Sequence, residues 1–300
     1  MALVPRAGGE EEGSGTVPPV QGNSHYAGAP VIGVIVPVHG FAPYLAETLD
    51  CVLAQRDAGP VEVVVVDDAS LLALELHADH AQHCRLVHRE ECGGPAAARA
   101  SGLAALSSDV SLVALCDADD AWLPGKLAAQ LEPFAESPDA VACFTRALIV
   151  GADGRATGER WAELRAGLHA GPSLAALLYE ANPIPTSSMV LRRCALEEAG
   201  GFRSPVRVAE DWDLWLRLAS GGGGFICLAE TLVRYRRHPG GLTADVEGLA
   251  RCQLELHRTH GGLVSDDVRQ RALAADAAAL RSAQRRGLRA LVPQRDPYRR

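Results

Sequence analysis

Three groups of carboxylates are spaced to do chemistry: Asp67-Asp68, Asp117-Ala118-Asp119-Asp120 and Glu210-Asp211. The first two each follow a short apolar run, at 61–66 and 110–116, and an earlier run at 31–36 leads into Pro37-Val38-His39-Gly40. In an open parallel sheet, ligands bind outside the carboxyl ends of the strands, so polar groups at three such ends converge on one crevice. Asp and Ser also cap helices, and Asp67-Asp68 read alone fits that role. Three carboxylates within four residues fit it less well, because they repel one another unless a cation screens them. Mg2+ or Mn2+ suits such oxygen ligands and typically bridges to phosphate oxygens.

The elements that must hold these groups are legible in the apolar pattern. The runs at 31–36 and 61–66 are β-branched and continuous, as in strands buried on both faces, and residues 44–53 between them carry Tyr44, Leu45, Leu49, Val52 and Leu53 on one helical face. Strand, helix, strand is a βαβ unit, with a right-handed crossover expected. It is followed by a helix over 96–106 and a strand over 110–116. Further on, the pattern predicts helices at 127–134, 174–179, 194–199 and 211–218, and strands at 140–150 and 187–191. Gly200-Gly201 and the glycines at 221–224 stop the helices before them. The fold class expected is α/β, a Rossmann-like and mostly parallel sheet flanked by helices, with a C-terminal helical tail.

Composition limits the alternatives. The 300-residue chain is 48% hydrophobic, enough for a sizeable core, and its net charge of −8 argues against a dedicated nucleic-acid binder. The eight cysteines form no C-x-x-C pair, so neither a zinc site nor a disulfide framework is signalled, and reduced thiols in a cytoplasmic protein are expected. No run approaches the ~18 apolar residues of a membrane span. Residues 1–29 are rich in Gly and Pro and read as a disordered tail, 30–242 as the functional domain, and 243–300 as a helical extension. From Ala250 onward that extension has eleven arginines against five acidic residues, a net charge of +6. It reads as a solvated helix, with peripheral contact to an anionic membrane as the alternative.

A crevice with two acidic strand ends, one crowded enough to call for a metal, points to a nucleotide diphosphate. No G-x-x-x-x-G-K-[ST] loop and no G-x-G-x-x-G after the first strand is present, so P-loop and dinucleotide enzymes are disfavoured. The motif set then resembles family 2 glycosyltransferases of the GT-A fold. The strand into Pro37, Tyr44-Leu45 with Leu53-Ala54-Gln55, residues 63–68, Arg99, residues 115–124, Asn182-Pro183, Ala199-Gly200-Gly201-Phe202 and Glu210-Asp211-Trp212-Asp213-Leu214-Trp215-Leu216-Arg217 occur in the family's order over 31–242. The resemblance implies a nucleotide-sugar site of Pro37, His39, Asp68, Arg99, Asp117 and Asp119. It implies metal ligands at Asp119 and Asp117, with His238 as a further contact, and catalysis by Asp211 as general base with Glu210 beside it.

That implies inverting transfer from a UDP-, GDP- or dTDP-sugar to a saccharide or lipid-linked acceptor, with no nucleic-acid partner. The first loop departs from the family's Pro-x-Tyr-Asn by reading Pro37-Val38-His39-Gly40, and Ala100 stands where an Asn often follows the Arg. No Q-x-x-R-W occurs, which places the resemblance with single-addition enzymes rather than processive synthases. A nucleotidyltransferase is the alternative enzyme, although the first loop lacks a basic residue. An inactive binding module of the same fold is the non-enzyme alternative. Two further expectations concern packing. His77, His80, His83 and His88 read as a solvated face, and Trp212 and Trp215 as core residues or as a platform for an acceptor sugar.

Overall fold

The computed structural model describes residues 30–161, 164–203 and 208–291. The expectation for residues 1–29, and the last nine residues of the C-terminal extension, lie outside the described residues.

The chain begins as the apolar pattern predicts: β1 (Val31–Val38), α1 (Leu45–Leu53), β2 (Val61–Asp67). A short α2 (Ala78–Ala81) and β3 (Cys84–His88) follow, then α3 (Gly94–Ala105), β4 (Val110–Leu115), β5 (Ala121–Trp122) and α4 (Lys126–Glu136). The second half comprises β6 (Ala140–Val150), β7 (Ala156–Arg160), β8 (Gly167–His169), α5 (Gly171–Glu180), β9 (Val190–Arg192), α6 (Arg193–Glu198), α7 (Glu210–Ser220) and β10 (Gly224–Arg236). The chain continues into α8 (Val246–Thr259) and α9 (Asp266–Leu291).

One mixed sheet runs β3-β2-β1-β4-β9-β6-β10-β5, with β7 beside β6 and β8 beside β10. Its first four strands are all parallel, and β9 then enters antiparallel between β4 and β6. The alternation of a strand explains why the N-terminal runs are apolar throughout. Ile32, Val34, Val36, Val63 and Val65 pack with α1 and α4 on one face, while Ile35, Val64 and Val66 pack with α3, α5 and α7 on the other. Helix α3 lies close against the sheet at Gly102, where an added Cβ would come within 2.5 Å of Ile35.

Five strands escaped the pattern: β3, β5, β7, β8 and β10. β3 is an edge strand of five residues, Cys84-Arg85-Leu86-Val87-His88, with too few buried positions to register as an apolar run. β10 is thirteen residues long, but exposed Glu230, Thr231 and Arg234 interrupt its apolar sequence. Two readings of side chains are also corrected. His80 is buried and bonds Asp50 at 2.8 Å, so it does not belong to a solvated face, whereas His88 bonds Asp67 at 3.0 Å and stays exposed on β3. Trp212 and Trp215 are 3% and 0% exposed, which makes both core residues and leaves neither as a sugar platform.

The C-terminal helices are anchored on the α5–α7 face. Cys252 and Leu256 join the core there, and Tyr179 Oη donates to the His257 carbonyl at 2.7 Å. No helix among the described residues is long and apolar enough to cross a membrane.

Candidate active site

The strand ends and the head of α7 meet in one polar crevice. At the end of β2 the two adjacent carboxylates divide their work. Asp67 accepts from the Ser70 and Leu74 amides, both at 3.1 Å, and from His88 Nδ1. Burial alone would raise its pKa, but these donors outweigh burial and hold the carboxyl near about 2. Asp67 therefore caps the loop that follows β2.

Asp68 turns the other way. Its oxygens accept from Arg89 Nε at 2.7 Å, from the Gly93 and Gly94 amides at the start of α3, and from Cys92 Sγ at 3.4 Å. Against its burial, these bonds keep its pKa below the usual carboxylate range. His39, exposed on the loop after β1, donates from Nδ1 to the Asp68 carbonyl at 2.8 Å, and Pro37 is partly buried in β1. The loops after β1 and β2 are joined again by the Gly40 amide on Ser70 Oγ at 2.8 Å.

The Asp117–Asp120 segment resolves its crowding by pointing three carboxylates at three different partners. Asp117 meets Arg99 Nη2 at 2.6 Å. Asp120 is 1% exposed and accepts from Ser187 Oγ at 2.5 Å and from the Arg236 amide at 2.8 Å. Burial first, and its two acidic neighbours second, push its pKa well up. Asp120 is thus a structural hub.

Asp119 is different. It is half-buried at the crevice wall, and its Oδ2 lies 2.9 Å from His238 Nε2. Burial and the nearby Asp117 raise its pKa. His238 packs on the Tyr44 ring, and Arg236 fixes the strand end by bonding the Asp119 carbonyl and Glu47 Oε2. A carboxylate and an imidazole facing one another at a crevice wall are a donor pair that fits a divalent cation such as Mn2+.

Glu210 and Asp211 open α7. Glu210 is 9% exposed and pairs with Arg99 Nη1 at 2.5 Å. Arg99 is itself 3% exposed, so one buried guanidinium joins Glu210 to Asp117, and its pKa is held above its ordinary value by both carboxylates despite burial. Asp211 accepts at Oδ2 from Thr186 Oγ1 (2.8 Å) and Asn182 Nδ2 (3.2 Å), and at Oδ1 from its neighbour's amide. Burial raises the Asp211 pKa despite these bonds and the nearby Arg99. Thr186 and Asn182 were not singled out as site residues by the sequence; the Asn182-Pro183 motif was the only signal for them.

The structure therefore brings Asp117, Arg99, Glu210 and Asp211 into one linked group and sets Asp119 against His238. It leaves His39 and Asp68 as a second group around the start of α3. Backbone strain marks both places. Among the described residues the two non-glycine positions with positive φ are Ala69 (55°), after Asp68, and Ala209 (66°), before Glu210.

The family model described as Glycosyl transferase family 2 matches residues 33–200, ending before Glu210. A protein of Mycobacterium tuberculosis with no assigned activity is 34% identical over 210 residues, 66% of this chain and 56% of the relative. The pre-mycofactocin glycosyltransferase of the same organism is 30% identical over 195 residues, 64% of this chain and 39% of the relative. The chain thus spans about half the length of the curated relatives it matches. Among solved structures, the mannosyltransferase PcManGT of Pyrobaculum calidifontis, in complex with GDP-Man and Mn2+, is similar with a TM-score of 0.59. The likeness covers 86% of this chain and 76% of that one at 22% identity. TarS 1-349 of S. aureus, in complex with UDP-GlcNAc, gives a TM-score of 0.58 at 17% identity, covering 84% of this chain and 72% of that one. These likenesses give a mixed α/β fold of the GT-A type.

Proposed function

The chain belongs to glycosyl transferase family 2, and from that membership we propose that it moves a sugar from a nucleotide-diphosphate donor to an acceptor hydroxyl with inversion. The observation that carries this reading is the pair of carboxylates joined by Arg99. Asp117 on the strand-end side and Glu210 on the α7 side bond the same guanidinium, which ties the acidic start of α7 to the D-x-D segment, Asp117-Ala118-Asp119. Direct displacement needs a base on the acceptor side and charge stabilisation on the leaving-group side, and this link supports one site that supplies both.

Asp211 is the base. Its carboxylate is oriented by Thr186 and Asn182, and burial favours its protonated form, which makes it a stronger proton acceptor than an exposed Asp. The proton of the acceptor hydroxyl passes to an Asp211 oxygen as the acceptor oxygen bonds the anomeric carbon and the diphosphate departs. Asp119 and His238, with Asp117, would hold Mg2+ or Mn2+, which supplies Lewis-acid stabilisation of the departing diphosphate. His39 and Pro37 lie where the donor base would enter, and the segment 182–186 lies on the acceptor side. On this reading the acceptor is a saccharide or a lipid-linked molecule. The PcManGT and TarS complexes support GDP- and UDP-sugars as the first donors to try.

Asp211→Asn keeps the shape of the side chain and removes its basicity. Nucleotide binding by calorimetry should stay near wild type while sugar transfer falls ~10²–10⁴-fold. In the wild type, transfer should decline with falling pH at a higher pH than an ordinary Asp would set, because the base must be ionised. Transfer at a normal rate in Asp211→Asn would remove the residue from catalysis, and absence of transfer by the wild type with any donor in a UDP-, GDP- and dTDP-sugar panel would favour a binding module. For the cation, Asp119→Ala should abolish the gain in nucleotide affinity that Mn2+ gives the wild type. Full transfer in excess EDTA would exclude the metal role.

A further inference from the structure

The start of α3 gathers a second set of ligating atoms, two of them from residues of the expected nucleotide-sugar site, His39 and Asp68. A ring nitrogen of His39, a carboxylate oxygen of Asp68 and Cys92 Sγ all lie within 4.8 Å of one another, and no other group of three His, Cys, Asp or Glu among the described residues does so. The three come from loops after three neighbouring strands, β1, β2 and β3, so the parallel sheet assembles them. We propose that His39, Asp68 and Cys92 form a site for a thiophilic divalent cation of the Zn2+ class, separate from the hard-cation position at Asp119 and His238.

Three features fit this class. Zinc bonds of ~2.0–2.3 Å at tetrahedral angles set neighbouring ligand atoms roughly 3.3–3.5 Å apart. Cys92 Sγ already stands 3.4 Å from Asp68 Oδ2 in an S–H···O hydrogen bond, so a metal would take the place of that proton. His39 donates its Nδ1 proton to the Asp68 carbonyl at 2.8 Å, which leaves the lone pair of the neutral ring on Nε2. A backbone carbonyl on the other ring nitrogen is the arrangement that orients metal-bound imidazoles.

The third feature is the carboxylate. Its remaining bonds, to Arg89 Nε at 2.7 Å and to the Gly93 and Gly94 amides, hold it in place without involving the thiol. Asp68 is 2% exposed, while His39 and Cys92 are exposed and free to close the last fraction of the distance from solvent. Thiolate with imidazole selects Zn2+, Co2+ or their like over Mg2+ and Mn2+. The site stands whether or not the crevice transfers sugar.

Co2+ is the test probe, because thiolate ligation gives a sulfur-to-cobalt charge-transfer band in the near ultraviolet that carboxylate and imidazole ligation do not. The full chain should show this band on titration with Co2+ alone, and Zn2+ should bleach it by displacement. Cys92→Ser should lose the band entirely, and His39→Ala should weaken Co2+ binding at least tenfold. Cys194→Ser, which alters another exposed thiol, should leave the titration unchanged. Absence of the band in the wild type, or its persistence in Cys92→Ser with both proteins folded by circular dichroism, would overturn the proposal.

Discussion

At the scale of single residues, adjacent acids of one chemical type take unlike roles because their donors differ. Asp67 and Asp68 are neighbours at the end of β2, yet one caps its own loop and the other organises the start of α3. Asp67 carries a prediction of its own. Its folded pKa of about 2 lies below the model-peptide value of 3.8, so the folded chain binds this proton less readily than the unfolded chain. The resulting stabilisation, about 2 kcal/mol, is full above the unfolded pKa and is lost as pH falls from about 4 towards 2. Asp67→Asn should therefore lower unfolding free energy by about 2 kcal/mol at pH 7. The gap to wild type should narrow below pH 4, as read by urea denaturation over the range where both stay folded. A gap independent of pH would mean that shape, not charge, makes Asp67 matter.

At the scale of elements, α7 is the part of the structure on which catalysis depends most, and it is held from several sides. Arg99 grips Glu210, Trp212 Nε1 donates to the Leu178 carbonyl at 2.5 Å, and Arg217 bonds Asp213 at 2.8 Å. The end of α8 adds His260, whose Nε2 lies 2.8 Å from Asp213 Oδ1, so a residue of the C-terminal helices steadies the first turn of the helix that carries the base. Burial would raise the Asp213 pKa, but His260 and Arg217 together lower it. His260→Ala removes one charge-assisted bond from a buried carboxylate, and unfolding free energy should fall by about 1.5–3 kcal/mol. Nucleotide affinity should be unchanged, since His260 has no place in the crevice. Weakened nucleotide binding at full stability would show that α8 belongs to the donor site.

At the scale of the whole molecule, the Arg-rich extension joins the fold through a polar and an apolar contact together. His257 is 3% exposed and places Nδ1 against Asp276 of α9 and Nε2 against the Tyr179 carbonyl, both at 2.5 Å, while Leu256 is wholly buried. A chain ending at residue 245 would uncover this face of α5 and α7. Burial of one large apolar side chain contributes ~1.5–3 kcal/mol and several are involved, so the melting temperature should drop by on the order of 10 °C or the protein should aggregate. An unchanged melting temperature by calorimetry would make the two helices an independent attachment.

The sequence by itself determined the strand ends and the residue types gathered there. Continuous β-branched runs read as strands buried on both faces, and strands that end at Val38, Asp67 and Leu115 present the polar residues just beyond them at one edge of the sheet. The acidic start of α7 was legible for the same local reason. Partnership was decided only by the tertiary structure, because it depends on residues distant in the chain. Glu210 lies 111 positions from Arg99, His238 lies 119 from Asp119, and Ser187 lies 67 from Asp120. Spacing pointed to a cation for the carboxylates at 117–120, and only the fold shows that each of the three also has its own partner, an arginine, a histidine and a serine brought from other elements. The short edge strand β3 was also invisible locally, since its five residues are held by pairing with β2 rather than by apolar burial. With it went the loop that carries Cys92 to His39 and Asp68. Side-chain chemistry is written in one dimension, whereas which carboxylate stays open to a ligand depends on donors that only packing delivers.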